Sequence, residues 1–169
     1  MKSLVVCLLC VLALALSSCR SDPRTEVGTL RCQYAFKDGS FIGLFSFALG
    51  ELPAPPVDPA QVDLVYYFDA DDCSRGALLG SDDEPGSIVP VGVRPRSDLA
   101  ELMRPTDGAE TLAAISPVTN DKEGLAFWVR TRDRGYVLVR LTAVEEASYA
   151  DLQSGRTPIL KFEWLVPAG

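Results

Sequence analysis

Histidine is absent from this chain of 169 residues. That removes the Ser-His-Asp and Cys-His arrangements of nucleophilic catalysis, histidine-ligated zinc and bis-imidazole ligation of haem. No apolar run approaches the roughly 20 residues of a bilayer-spanning helix. No glycine-rich phosphate loop and no nucleophile signature is present, so the chain is a poor candidate for an enzyme. Positive charge is scarce: 16 basic against 23 acidic side chains give a net charge of −7. Such a surface repels phosphate backbones, which argues against nucleic-acid binding. What is present, 47% hydrophobic and 23% charged residues, belongs to a globular chain, and the length suits a single domain.

The N-terminus reads as an address. Lys2 precedes an apolar run from Leu4 to Leu16, too short to span a bilayer but suited to the h-region of a signal peptide. The run ends in Leu16-Ser17-Ser18-Cys19, which resembles the bacterial lipobox. The resemblance implies removal of residues 1–18, a diacylglyceryl thioether on Cys19 and membrane attachment through that lipid. An ordinary secretory signal with an incidental Cys19 is the alternative. Arg20 rather than aspartate follows the cysteine, which by the enteric sorting rule favours the outer membrane of the cell envelope. Residues 19–29 then form a polar, lipidated tether and residues 30–169 a single domain. Loss of Lys2 leaves 15 basic and 23 acidic side chains.

Cys7 and Cys10 leave with the signal and Cys19 carries lipid, so Cys32 and Cys73 remain. In an oxidising compartment an even pair predicts a disulfide, worth about 4 kcal/mol for a loop of some 40 residues. Two buried free thiols are the alternative.

Period-two alternation dominates the body. Strands are predicted over Leu30 to Phe36, Phe41 to Leu49, Val62 to Phe68, Leu125 to Thr131, Tyr136 to Val144 and Ile159 to Val166, with a short kinked one over Ile88 to Val93. Lys37-Asp38-Gly39-Ser40 is a hairpin signal. Pro53, Pro55, Pro56 and Pro59 make the next connection an extended loop. In the closing strand Leu160, Phe162, Trp164 and Val166 should face inward, Lys161 and Glu163 outward. Short helices are predicted at Asp98 to Met103, where Asp98 and Glu101 have capping-box spacing, and at Asp107 to Ile115. Glu145 to Gly155 is a loop or one helical turn. The fold class is therefore mainly β: an antiparallel β-sandwich or strongly bent sheet with one or two short helices. The aromatics Tyr34, Phe36, Phe41, Phe45, Phe47, Tyr66 and Phe68 read as core.

Three stretches resemble the HmuY-like family of haem-binding bacterial outer-membrane lipoproteins. Phe45-Ser46-Phe47-Ala48-Leu49-Gly50-Glu51 is similar to its aromatic-Ser-Phe-x-x-Gly-Glu segment, with Asp63-Leu64 following and Val62 where the family has tryptophan. Phe127 to Arg130 with Gly135 to Val139 is similar to its late strand–turn–strand, and Ile159 to Trp164 to its closing strand. The resemblance implies an all-β lipoprotein that holds a ligand. The two haem-binding histidines of the founding member have no counterpart here. Met103 is the one methionine that survives processing, so no bis-ligated haem is expected and no cofactor is assigned.

Two charged clusters remain. Asp58 to Glu84 carries eight acids and one base, Arg75. Asp69, Asp71 and Asp72 could offer oxygens to a cation, although their spacing is not that of an EF-hand and a solvated acidic loop is the alternative. Arg130, Arg132 and Arg134 recur with period two, and Arg140 follows on the returning strand; together they could bind an anion, or simply line an exposed face. No metal site is assigned. The leading expectation is a lipid-anchored envelope protein whose β domain binds a small ligand. An accessory lipoprotein that binds another envelope protein comes second, and a small carboxylate hydrolase third.

Overall fold

The computed structural model describes residues 24–35, 40–53, 56–69, 76–80, 87–102, 105, 108–131 and 135–166. Two antiparallel sheets face each other. The first, sheet A, has the order β1-β11-β10-β9-β7, with β1 Arg24–Arg31, β11 Ile159–Val166, β10 Gly135–Glu145, β9 Leu125–Thr131 and β7 Ile88–Val93. The second, sheet B, has the order β2-β3-β5-β6-β8, with β2 Tyr34–Ala35, β3 Ser40–Ser46, β5 Leu64–Asp69, β6 Gly76–Gly80 and β8 Ala114–Val118; β4, Gly50–Glu51, pairs with β3. Among the described residues one α-helix, α1, spans Tyr149–Gln153, and three 3-10 turns occupy Pro59–Gln61, Arg96–Glu101 and Asn120–Lys122. The mainly β architecture expected from alternation is the one found.

Alternation explains the core between the sheets. Leu160, Phe162 and Trp164 of β11 meet Phe45 and Phe47 of β3 and its turn, and Leu64, Tyr66 and Phe68 of β5 join the same cluster. Phe45 stands edge-on to Phe162 and to Trp164, with ring centroids 4.9 and 5.5 Å apart. Each such pair adds about 0.5–1.5 kcal/mol beyond its buried area. Leu138 and Leu165 point the other way and belong to a second cluster with Val89, Leu99, Ala126 and Trp128 on the outer face of sheet A. A smaller cluster, Leu44, Leu52 and Val62, seals the outer face of sheet B beside Val57 of the proline-rich loop.

Several boundaries differ from expectation. Paired strand already includes Arg24, within the segment expected to be tether, because all eight residues of β1 pair with β11, from Arg24 opposite Val166 to Arg31 opposite Ile159. The strand expected from Leu30 to Phe36 is divided: Cys32 bonds through its N–H to Pro158, and the chain crosses to sheet B as β2. The Lys37-Asp38-Gly39 turn lies outside the described residues. A bulge between Leu141 and Ala143 breaks the alternation of Val137, Val139 and Leu141 in β10, so that Val144 is the next residue to enter the core.

The Asp98 segment forms a 3-10 turn headed by Pro95, with no side-chain cap, and buries Leu99. The capping box sits instead at Ser148, where Ser148 and Asp151 exchange hydrogen bonds at the start of α1. The helix expected at Asp107 to Ile115 gives way to extended chain. Leu112 exchanges backbone bonds with Ile88, and Ala114–Val118 is strand β8. Glu163, expected outward, is 4% exposed because the β7 to Arg96–Glu101 segment covers it.

Candidate functional site

The outer face of sheet A divides into a covered half and an open half. On the covered half the segment from Arg94 through Glu101 returns from the β7 edge over the outer face of β10 and β11 as a strap. Leu99 supplies its buried apolar contact, in one cluster with Val89, Ala126, Trp128, Leu138 and Leu165 of the sheet. Its polar anchor is Glu163. Arg140 donates to one carboxylate oxygen at 3.0 Å, and Arg96 pairs with the other at 3.3 Å. Arg140 also donates through Nε to the carbonyl of Arg94 at 2.8 Å, so one guanidinium ties the strap to the sheet twice. A buried carboxylate needs such partners, since an unpaired one would be costly.

On the open half Val27, Thr29, Thr142 and Lys161 surround a shallow hollow of about 300 Å³. Val27 is 78% exposed. Lys161 is held by Glu145. The adjoining strand β1 pairs with β11 on one side and with no strand on the other among the described residues. Its C-terminal end is fastened to sheet B. The Arg31 backbone N–H donates to Glu51 at 2.7 Å, and the Arg31 guanidinium donates to the same carboxylate at 2.6 Å. Gly43 permits this closeness, because a Cβ there would collide with the Arg31 carbonyl. The stretch toward Arg24 has no second strand beside it among the described residues and carries an exposed apolar side chain, a surface suited to strand addition. A second hollow, of about 230 Å³, lies at the opposite end among Glu145, Asp151, Arg156 and Thr157. There the Ser148 hydrogen bonds, chiefly, and nearby Arg156 hold the Asp151 carboxyl below its usual range.

Among the expected site residues, Cys19, Cys73, Asp71, Asp72, Arg132, Arg134 and Met103 lie outside the described residues. Cys32 is a buried free thiol that donates to the Tyr66 carbonyl at 3.2 Å. Burial pushes its pKa far above the ordinary thiol value, so it is inert as a nucleophile. Asp69 ends β5 opposite Ser40. Arg130 and Arg140 do not share a site. Arg130 is exposed opposite Tyr136, whereas Arg140 lies opposite Ala126 and is committed to Glu163. Four residues of strand, about 13 Å, separate their rows.

The segment that carries the family resemblance is internally bonded. Phe45 pairs with Glu51, and Asp63 accepts from the Phe47 N–H at 2.8 Å and from the Ser46 hydroxyl at 3.3 Å. Its residues build a strand–turn–strand rather than a ligand pocket. No family model matches this chain, and no curated protein matches it. Alternation places Glu163 on the outer face, where it lies, but does not foresee its burial there. A charged residue facing away from the core reads as solvated unless a later segment returns to cover it, and no local pattern announces that return.

Proposed function

We propose that this is a lipid-anchored protein of the bacterial cell envelope whose β-sandwich docks another envelope protein along β1. The observation that carries this reading is the open edge of β1 beside the exposed Val27. Sequence alone ranks small-ligand binding first. The geometry favours the partner reading, because the space between the sheets is filled by Phe45, Phe47, Phe162 and Trp164, and the two hollows described are shallow. A small ligand needs a concave, largely apolar site. Kinship with the HmuY-like family enters at the level of fold, since the resembling residues make strands and turns and supply no haem ligand. Lipidation at Cys19 and the outer-membrane address rest on the lipobox. The Cys32–Cys73 bridge expected from cysteine arithmetic is not part of this reading, because Cys32 is a buried free thiol.

A photo-crosslinking residue at Val27, compared with one at the exposed Val93, tests the docking surface in native envelopes. The expected result is one discrete cross-linked protein from Val27 and none from Val93. A small molecule that copurifies at one equivalent, with no Val27 cross-link, would restore the ligand reading. Cys19→Ala should abolish incorporation of labelled acyl chains.

A further inference from the structure

We propose that the partner docked along β1 is a second copy of this chain, whose own β1 pairs antiparallel with it about a two-fold axis at Val27, so that the two copies of sheet A run on as one; this rests on the reading of β1 as a docking edge. The direction of the backbone groups comes first. In an antiparallel ladder successive residues turn their N–H and C=O to opposite sides of the strand. The Cys32 N–H turns toward β11, where it donates to the Pro158 carbonyl. The Arg31 N–H turns the other way and donates to Glu51. Stepping back in twos from Arg31, the residues Thr29, Val27 and Thr25 present their N–H and C=O to the open side, where no strand pairs with β1 among the described residues. Arg31 closes this run, because its N–H is held by Glu51 and its carbonyl accepts from the Gln33 N–H at 3.0 Å. The groups on offer are therefore symmetrical about Val27.

That symmetry selects a register. Two identical antiparallel strands related by a two-fold axis place one residue opposite its own copy. With Val27 in that position, Thr25 lies opposite Thr29 of the second copy, and every outward N–H of the three residues meets an outward carbonyl. An axis at Gly28 would set Thr25 against Arg31, whose groups are taken. An axis at Glu26 would set one carboxylate directly against the other, which is destabilising. An axis at Thr25 would carry Val27 past Arg24 of the second copy, where the described strand ends.

The side chains agree with the same axis. A Cβ on Gly28 would meet the Phe162 and Trp164 rings, and Leu30 is fully buried, so these positions face the core. Thr25, Val27 and Thr29 face outward, with Val27 78% exposed. Across the axis Val27 then meets Val27, and Thr25 meets Thr29, pairs of β-branched residues that pack well between strands. On the core-facing side Glu26 lies opposite Gly28, and Arg24 opposite Leu30, so no like charges stand directly opposite. Glu26 keeps Arg24 of its own strand as its partner at 3.6 Å. The outward side chains carry no charge that would turn an identical strand away, the usual defence of an edge.

The test uses the lipidated full chain in native envelopes, in a Cys73→Ser background that leaves Cys32 buried. Val27→Cys places two thiols on the axis, with Cα atoms about 5.5 Å apart, within the span of a disulfide. Thr25→Cys places them four positions apart, about 13 Å along the strands, beyond that span. Under mild oxidation Val27→Cys should give a species of twice the chain mass on non-reducing gels, several-fold more than Thr25→Cys or the exposed control Val93→Cys. Thr25→Cys and Thr29→Cys in one chain should restore the dimer. Adding Val27→Lys to that pair sets two ammonium groups face to face at an exposed position and should lower the dimer yield several-fold, with an unchanged circular dichroism spectrum. Equal dimer from Thr25→Cys and Val27→Cys overturns the inference, as does a dimer yield indifferent to Val27→Lys. A Val27 photo-cross-link to a different protein, with no Val27→Cys dimer, defeats the second copy alone and leaves the docking edge standing. Absence of any cross-link from Val27, to itself or to another protein, defeats the docking reading with it.

Discussion

Sheet A carries a second apolar layer on its outer face, with a buried ion pair inside it, whereas the outer face of sheet B is sealed by three buried aliphatic residues and a proline-rich loop. The contrast comes from what each sheet must support. Strands β9, β10 and β11 are central, and their outer face offers Trp128, Leu138 and Leu165, too much apolar surface to leave in water. The strap covers it, and Glu163 is the polar residue caught beneath. Sheet B offers Ile42 and Leu44 of β3 and Val65 of β5, which Leu52, Val57 and Val62 pack against without any charge. A carboxylate under a strap specifies where the strap lies, while an aliphatic seal only has to be dry.

The largest effect should come from the layer the two sheets share. Phe45→Ala removes rings packed on both and should cost about 3–5 kcal/mol, read by urea denaturation. One cooperative transition is expected; two transitions would show that the sheets fold as separate units. Next, Leu99→Ala and Leu52→Ala compare strap with seal. The first should cost about 3 kcal/mol and accelerate amide exchange at Ala126 and Trp128. The second should fall nearer 2 kcal/mol, with faster exchange confined to the amides of β3 and β4. Equal and global effects would erase the distinction drawn between them.

Glu163→Ala leaves Arg140 half-covered without its partner. It should cost about 2 kcal/mol, below the range for fully buried pairs because Arg96 and part of Arg140 reach solvent. The double variant Glu163→Met, Arg140→Met should recover most of that loss. If it does not, the pair is a net source of stability rather than a device for placing the strap. The smallest effect concerns α1, outside both sheets. The Asp151 carboxyl is held below its ordinary value of 3.8, so its capping contribution is complete above that value and fades as pH falls through the lower folded one. Acid titration should fray α1, seen by exchange at Leu152, before either sheet responds.

Much of this was readable from the chain. Val137, Val139, Leu160, Phe162 and Trp164 declare their strands because period two matches burial on one face. The part of β1 before Leu30 was missed because its core-facing positions are Glu26 and Gly28. Gly28 is small since the Phe162 and Trp164 rings fill the space a Cβ would need, so a well-packed strand presents no apolar signal. The segment around Leu112 has helical composition, yet its backbone groups go to Ile88, a partner far away in the chain. The candidate docking surface was invisible for the same reason: an edge is a property of sheet order, and sheet order is long-range. The alternating arginines at 130, 132 and 134 were visible, but register was needed to detach Arg140 from them.

The pairing of β1 with β11 also sets an order of events. Synthesis from the N-terminus presents Arg24–Arg31 early, while its partner Ile159–Val166 emerges more than a hundred residues later. Through that interval the first strand has no sheet to join, and the closing step is the slowest kind of contact, between residues far apart along the chain. The charges at Arg24, Glu26 and Arg31 serve during that wait. They keep an orphaned strand from finding a neighbour before its own partner arrives.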